Sequence, residues 1–261
     1  MSRHGGGTDR DRRNRRDEAG ERVVPGLHPV RELLRAGASP HRVLVASSRT
    51  RSKVLEEILT LAATAEIPVV EVERDQLDEL SGGVAHQGVV ALAPPFPYAT
   101  LDAVLQGTGH PLLVALDGVT DPHNLGSIAR TAEAVGADGL LLPARRSAGV
   151  GPAAEKTAAG ALAHLPVVRV TNLVRTLGQL GSRGVWAVGL DADAEIEIGA
   201  SRLLDEPLVL VAGAEGRGLA RLTAEACDEL VRLPMRGRVG SLNASVAAGV
   251  ALYEVLRRRS G

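Results

Sequence analysis

The chain has 261 residues, 44% of them apolar, enough for one large or two modest buried cores. A formal net charge of −1 excludes a general positive field for holding a polyanion, so any nucleic-acid contact must come from local basic patches. The one cysteine, Cys227, excludes a disulfide framework and a thiolate zinc cluster, and 2% aromatic residues leave no stacking platform for bases.

The histidines show no metal-ligand spacing, so no metal is expected. No apolar run reaches bilayer length, and the charged N-terminus is not followed by an apolar segment. A cytoplasmic protein is expected. Residues 1–22 read as a disordered tail: Gly5, Gly6 and Gly7 precede a run of mixed charge without apolar periodicity. Its arginines are blunted by Asp9, Asp11, Asp17 and Glu18.

Residues 23–93 read as a small α/β unit. Val43 to Val45, Val69 to Val72 and Val89 to Leu92 are short strands. Val54, Leu55, Ile58, Leu59 and Ala62 recur at helical spacing, and Asp75 is placed to cap a short helix through Leu80. Ser47 to Lys53 carries Arg49, Arg51 and Lys53 at a strand-to-helix junction, a phosphate-binding arrangement. Pro94, Pro95 and Pro97 open a linker over 94–111 with one short helix near Leu101 to Leu105.

From residue 112 to 261, apolar runs at Leu112–Leu116, Gly139–Leu142, Val185–Gly189, Leu208–Ala212 and Leu230–Leu233 alternate with helical segments at 124–136, 152–160, 172–181, 218–226 and 241–258. Strands separated by helices point to a parallel-rich sheet covered on both faces. Gly151 to Thr157 lacks the glycine before lysine that a phosphate loop needs.

Three segments of this unit carry chemistry. After the strand ending at Leu116 come polar turn residues and then a helix with Asn124, Ser127 and Arg130 at steps of three. After the strand ending at Ala212 come Gly213, Gly216 and Gly218, spaced G-x-x-G-x-G rather than in the dinucleotide fingerprint. After Leu233 comes the basic loop Pro234 to Gly240, then Ser241, placed to cap a long helix that reads as apolar nearly all round. Asn124 and Ser241 are each open to two readings, as functional groups or as plain helix caps.

Together the segments resemble the three signature motifs of the SpoU (TrmH-type) branch of the SPOUT RNA methyltransferases: Asn124 to Arg130, Gly213 to Gly218, and Pro234 to Ser245. Ala214 stands where the family often has serine. Gly26 to Leu34 and His86 to Ala91 resemble the ends of the ribosomal-protein-like RNA-binding domain that precedes many members. The resemblance implies an α/β chain whose C-terminal trefoil-knot (SPOUT) methyltransferase domain follows a small α/β RNA-binding domain. It also implies a homodimer acting on RNA with S-adenosyl-L-methionine as cofactor. It places Gly213, Leu233, Leu242 and, less firmly, Gly189 at the cofactor. It places Arg130, Asn124, Glu215, Ser241 and Asn243 in the catalytic machinery. The implied reaction is 2'-O-methylation of a guanosine ribose in 23S rRNA. The rivals are a tRNA target, an rRNA adenosine linked to antibiotic resistance, and a catalytically idle ribosome-assembly factor.

Overall fold

The computed structural model describes residues 21–238 and 240–260. The tail expected over residues 1–20 lies outside the described residues. The described residues form two compact units, one up to residue 97 together with 149–156, the other of 98–148 with the described residues from 157 onward.

In the first unit, four strands, β1 (Arg22–Pro25), β2 (Arg42–Ala46), β3 (Val69–Val72) and β4 (Val89–Ala93), form a sheet in the order β1-β4-β2-β3. β4 runs antiparallel to β1 and β2, and β2 and β3 are parallel. Arg22, assigned to the tail by the sequence reading, is instead the first residue of β1. Side chains alternate across the sheet, as a pleated strand requires. Val43, Val45, Val89 and Ala91 meet the helices α1 (Leu27–Arg35) and α2 (Lys53–Thr64). Leu44, Ala46, Val90 and Leu92 meet Leu77 of α3 (Arg74–Leu80). Ser52 caps α2 by accepting from the Leu55 amide. Asp75 does not cap α3: the helix starts two residues earlier than that cap would place it, Glu73 holds the cap position, and Asp75 lies in the first turn, where its charge suits the helix dipole.

The second unit is a seven-stranded sheet: β5 (Leu112–Asp117), β6 (Gly139–Pro143), β7 (Val167–Val170), β8 (Trp186–Leu190), β9 (Ile196–Glu197), β10 (Leu208–Gly213) and β11 (Glu229–Arg232). The order is β7-β6-β5-β10-β8-β11-β9, with every neighbour parallel. β5 and β10 lie inside it. Leu113, Ala115, Val209 and Val211 face one core, and the alternate residues Val114, Leu116, Leu210 and Ala212 are equally buried, as a sheet covered on both faces requires. β7 and β9 were not anticipated: one is four residues broken by an exposed arginine, the other only two residues.

The helices of this unit are α4 (Leu101–Leu105), α5 (Pro122–Ala134), α7 (Leu173–Gly181), α8 (Arg221–Glu225) and α9 (Ala244–Arg259); α6 (Pro152–Ala158) begins in the segment grouped with the first unit. Asp121, not Asn124, caps α5, with Pro122 at its first turn. Asn243, not Ser241, caps α9. α9 is not buried all round. Ala248, Ala251, Leu252 and Val255 are buried, while Val246, Val250 and Tyr253 are about half exposed. At its C-terminus Arg259 donates to the carbonyls of Leu204, His110 and Pro111, tying the helix end to the segments that lead into β10 and β5. No helix among the described residues is long and apolar enough to cross a membrane.

Candidate active site

Because β5, β10, β8 and β11 are parallel neighbours, their C-terminal ends fall on one edge of the sheet, where open α/β sheets gather ligand-binding loops. Three loops there carry the segments singled out in the sequence.

The first leaves β5 at Asp117 and enters α5, whose first turns bury Asn124. The second leaves β10 at Gly213. Ala214 and Gly218 exchange both backbone hydrogen bonds, 3.0 and 2.9 Å, closing a tight turn around Glu215, Gly216 and Arg217. Gly216 and Gly218 hold positive φ, 75° and 64°, where a side chain is strained. A Cβ on Gly213 would lie 2.2 Å from the Gly218 carbonyl carbon, so this position admits only glycine. The tight turn also explains why the helix expected over 218–226 shrinks to α8. The third loop leaves β11 at Leu233 and ends at Asn243.

Together the second and third loops, with the segment after β8, enclose a cleft of about 300 Å³. Gly213, Glu215, Leu233, Ser241 and Leu242 line it, so five residues named from the sequence share one cavity. Leu190, Asp191, Asp193 and Met235 line it too and were not singled out. Asp191 and Asp193 follow a short strand in a loop without glycine, and no spacing rule marks them.

Beside the cleft lies a polar cluster drawn from all three loops. The Asn243 side-chain amide donates to Asn124 Oδ1 at 3.0 Å and more weakly to Glu215 Oε2 at 3.5 Å. Asn124 Nδ2 donates to the same Glu215 oxygen at 3.4 Å. Asn243 Oδ1 accepts from the Ser245 amide at 2.9 Å, the Val246 amide at 3.4 Å and the Ser245 hydroxyl at 2.6 Å. One side chain therefore caps α9 with its oxygen and presents its nitrogen to the amide and carboxylate of the other two loops. Asn243 therefore caps α9 and belongs to the polar cluster at once. Asn124 caps nothing.

Two expected residues stand elsewhere. Gly189 does not line the cleft; a Cβ there would meet Leu219, Leu230 and Cys227 at 2.7, 2.7 and 3.0 Å, which gives it a packing reason to be glycine. Arg130 is exposed on α5 and lies outside the cleft lining. Burial, with the Asp228 and Asp117 charges, pushes the Cys227 thiol up to about 12, so it is no nucleophile. Among the described residues no group of three or more His, Cys, Asp or Glu side chains could hold a metal ion.

The sequence matches the SpoU rRNA Methylase family over residues 111–253 and the family described as RNA 2'-O ribose methyltransferase substrate binding over residues 23–99. It is 47% identical over 244 residues to the 23S rRNA (guanosine-2'-O-)-methyltransferase RlmB of Pseudomonas syringae pv. tomato, covering 91% of this chain and 96% of that one. It is 45% identical over 255 residues to an uncharacterized tRNA/rRNA methyltransferase of Mycolicibacterium paratuberculosis, covering 95% and 80%. The fold is similar to that of the SpoU methyltransferase AviRb from Streptomyces viridochromogenes, solved with the cofactor AdoMet. The TM-score is 0.80 at 30% identity, with 95% of each chain covered.

Proposed function

From the premise that the chain belongs to the SpoU rRNA methylase family, and is thus an S-adenosylmethionine-dependent RNA 2'-O-ribose methyltransferase, we propose that its target is a guanosine of 23S ribosomal RNA. The observation that carries the site assignment is the meeting of Gly213, Leu233 and Leu242 in one cleft beside the Asn124–Glu215–Asn243 cluster.

The cleft's donor set fits the cofactor. Leu190, Val231, Leu233 and Leu242 offer an apolar wall for a base, and the backbone of residues 213–218 offers amides and carbonyls at close range. Asp191, Asp193 and Glu215 suit a ligand with ribose hydroxyls, an ammonium and a sulfonium. When bound, the cofactor supplies a methyl group on cationic sulfur. The protein's task is to place the ribose oxygen in line with it. Asn124, Glu215, Ser241 and Asn243 hold the loops and orient the ribose. A guanidinium is a fixed cation, so Arg130 grips the neighbouring phosphate and stabilises charge developing on the ribose oxygen.

Arg130 reaches this role in a homodimer. Val246, Val250 and Tyr253 of α9, with Thr131 of α5, line an exposed apolar groove. A second copy covering that face would bring the exposed Arg130, next to Thr131, to the junction. RNA phosphates are held by Arg49, Arg51 and Lys53 at the start of α2. A ribosomal substrate places the enzyme in the cytoplasm.

The purified protein with cofactor should protect one 23S rRNA linkage from alkaline cleavage, because a methylated 2'-oxygen is no nucleophile. Protection of a tRNA linkage instead would move the substrate to tRNA, and protection of no RNA would leave an assembly factor.

A further inference from the structure

Asp117 is neither in the cleft lining nor in the Asn124–Glu215–Asn243 cluster. It is the last residue of β5 and pairs in register with Gly213, the residue at which the glycine loop leaves β10. Its Oδ2 accepts the Ala220 backbone N–H at 2.7 Å, across 103 residues of sequence. Ala220 is the cap residue of α8 and has no cap from its own side chain. The loop that carries Glu215 is therefore fixed at three points: at Gly213 by the sheet, at Ala214 and Gly218 by their mutual hydrogen bonds, and at Ala220 by the Asp117 carboxylate. Two of its residues, Gly216 and Gly218, have the widest backbone freedom, and beyond them the loop is held by the packing of Leu219 on the core and by the Asp117 carboxylate at Ala220. The same loop lines the cleft and presents Glu215 to Asn124 and Asn243.

We propose that Asp117 is a positioning residue for methyl transfer. Its carboxylate anchors the exit of the glycine loop, so that Glu215 is held against the two asparagines and the loop backbone keeps the shape of the cofactor cleft. A carboxylate suits this task because a charge-assisted bond to an N–H is short and directional. The proposal rests on the methyltransferase reading but concerns a different residue.

The test uses the full chain with Asp117→Ala and Asp117→Asn. It follows single-turnover methylation of 23S rRNA, calorimetric binding of S-adenosylhomocysteine, and thermal melting. Asp117→Ala should lose about tenfold or more in turnover rate and in S-adenosylhomocysteine affinity, a loss of the size loop misplacement produces. Asp117→Asn keeps only a neutral, weaker acceptor for Ala220 and should recover part of both, staying about threefold below the parent, with a melt close to that of the parent. If Asp117→Ala does not fold, a turnover rate and an affinity both lowered in folded Asp117→Asn support the proposal. In a Glu215→Gln background Asp117→Ala should cost little further rate, because the two act through one loop. Undiminished rate and affinity in the folded Asp117 variants overturn the proposal while the enzyme reading stands, as does an undiminished Asp117→Ala rate penalty without Glu215. If the parent methylates no RNA, the enzyme reading fails separately, and S-adenosylhomocysteine affinity alone then decides for or against Asp117.

Discussion

Glycine performs two different tasks at Gly213 and Gly189, and substitution should separate them. A methyl group on Gly213 meets backbone at 2.2 to 2.5 Å, which cannot step aside without moving the loop. Gly213→Ala should therefore destabilise the unit by about 2 kcal/mol and abolish measurable cofactor binding in calorimetry. At Gly189 the added methyl meets the ends of Leu219 and Leu230 and the Cys227 sulfur, which can rotate. Gly189→Ala should cost about 1 kcal/mol in denaturant melts and leave cofactor affinity within about threefold, a difference under 1 kcal/mol. A large affinity loss at Gly189 would return it to the cofactor site. Cys227, with its thiol at about 12, should resist a thiol reagent at pH 8 in the folded protein and react fully once denatured.

The helix α9 and the loop before it are joined through Asn243, where one side chain serves two needs. Asn243→Ala removes the cap, worth about 1 kcal/mol, and strips Asn124 Oδ1 of its donor. Asn243→Asp keeps an acceptor for the Ser245 and Val246 amides but sets a second carboxylate beside Glu215. The aspartate variant should melt closer to the parent than the alanine variant does, yet lose about tenfold or more in methylation rate. Equal activity of Asn243→Asp and parent would reduce Asn243 to a cap. Local sequence does not separate Ser241 from Asn243 as the cap, because serine and asparagine cap equally well. Residue 243 has the non-helical backbone of a cap, φ −55° and ψ 143°, while its amide bonds Asn124 and Glu215. The helix expected over 218–226 failed for a related reason: helical spacing cannot reveal that Ala214 and Gly218 pair with each other.

Taken as a whole molecule, each unit carries its own liability. In the first, burial pushes the Glu155 carboxyl above its ordinary value of 4.5, only partly opposed by Arg22 at 3.5 Å. An acid raised on folding binds its proton more tightly in the native state. Its ionisation therefore costs stability progressively as pH rises from 4.5 through the raised value, and costs nothing well below 4.5. The stability of Glu155→Gln relative to the parent should rise with pH over that window in melts of the first unit, and a flat difference would refute the assignment. In the second unit the half-exposed Val250 and Tyr253 are the exposed apolar groups the proposed dimer must cover. Val250→Asp should halve the mass seen by light scattering and reduce methylation with it; an unchanged mass would remove the dimer from the account of Arg130.

Local chemistry was enough to read the strands with continuous apolar runs, the helix under Ser52, and three motifs whose residue types match one kind of site. These depend on periodicity and side-chain identity, which the order of residues alone supplies. What needed the third dimension was which edge-of-sheet loops touch: Asp117 to Ala220, Asn124 to Glu215 and Asn243, and Asp191 and Asp193 to the same cleft as Gly213. Those contacts span up to 119 residues and follow from the parallel order β5-β10-β8-β11, which no local pattern encodes.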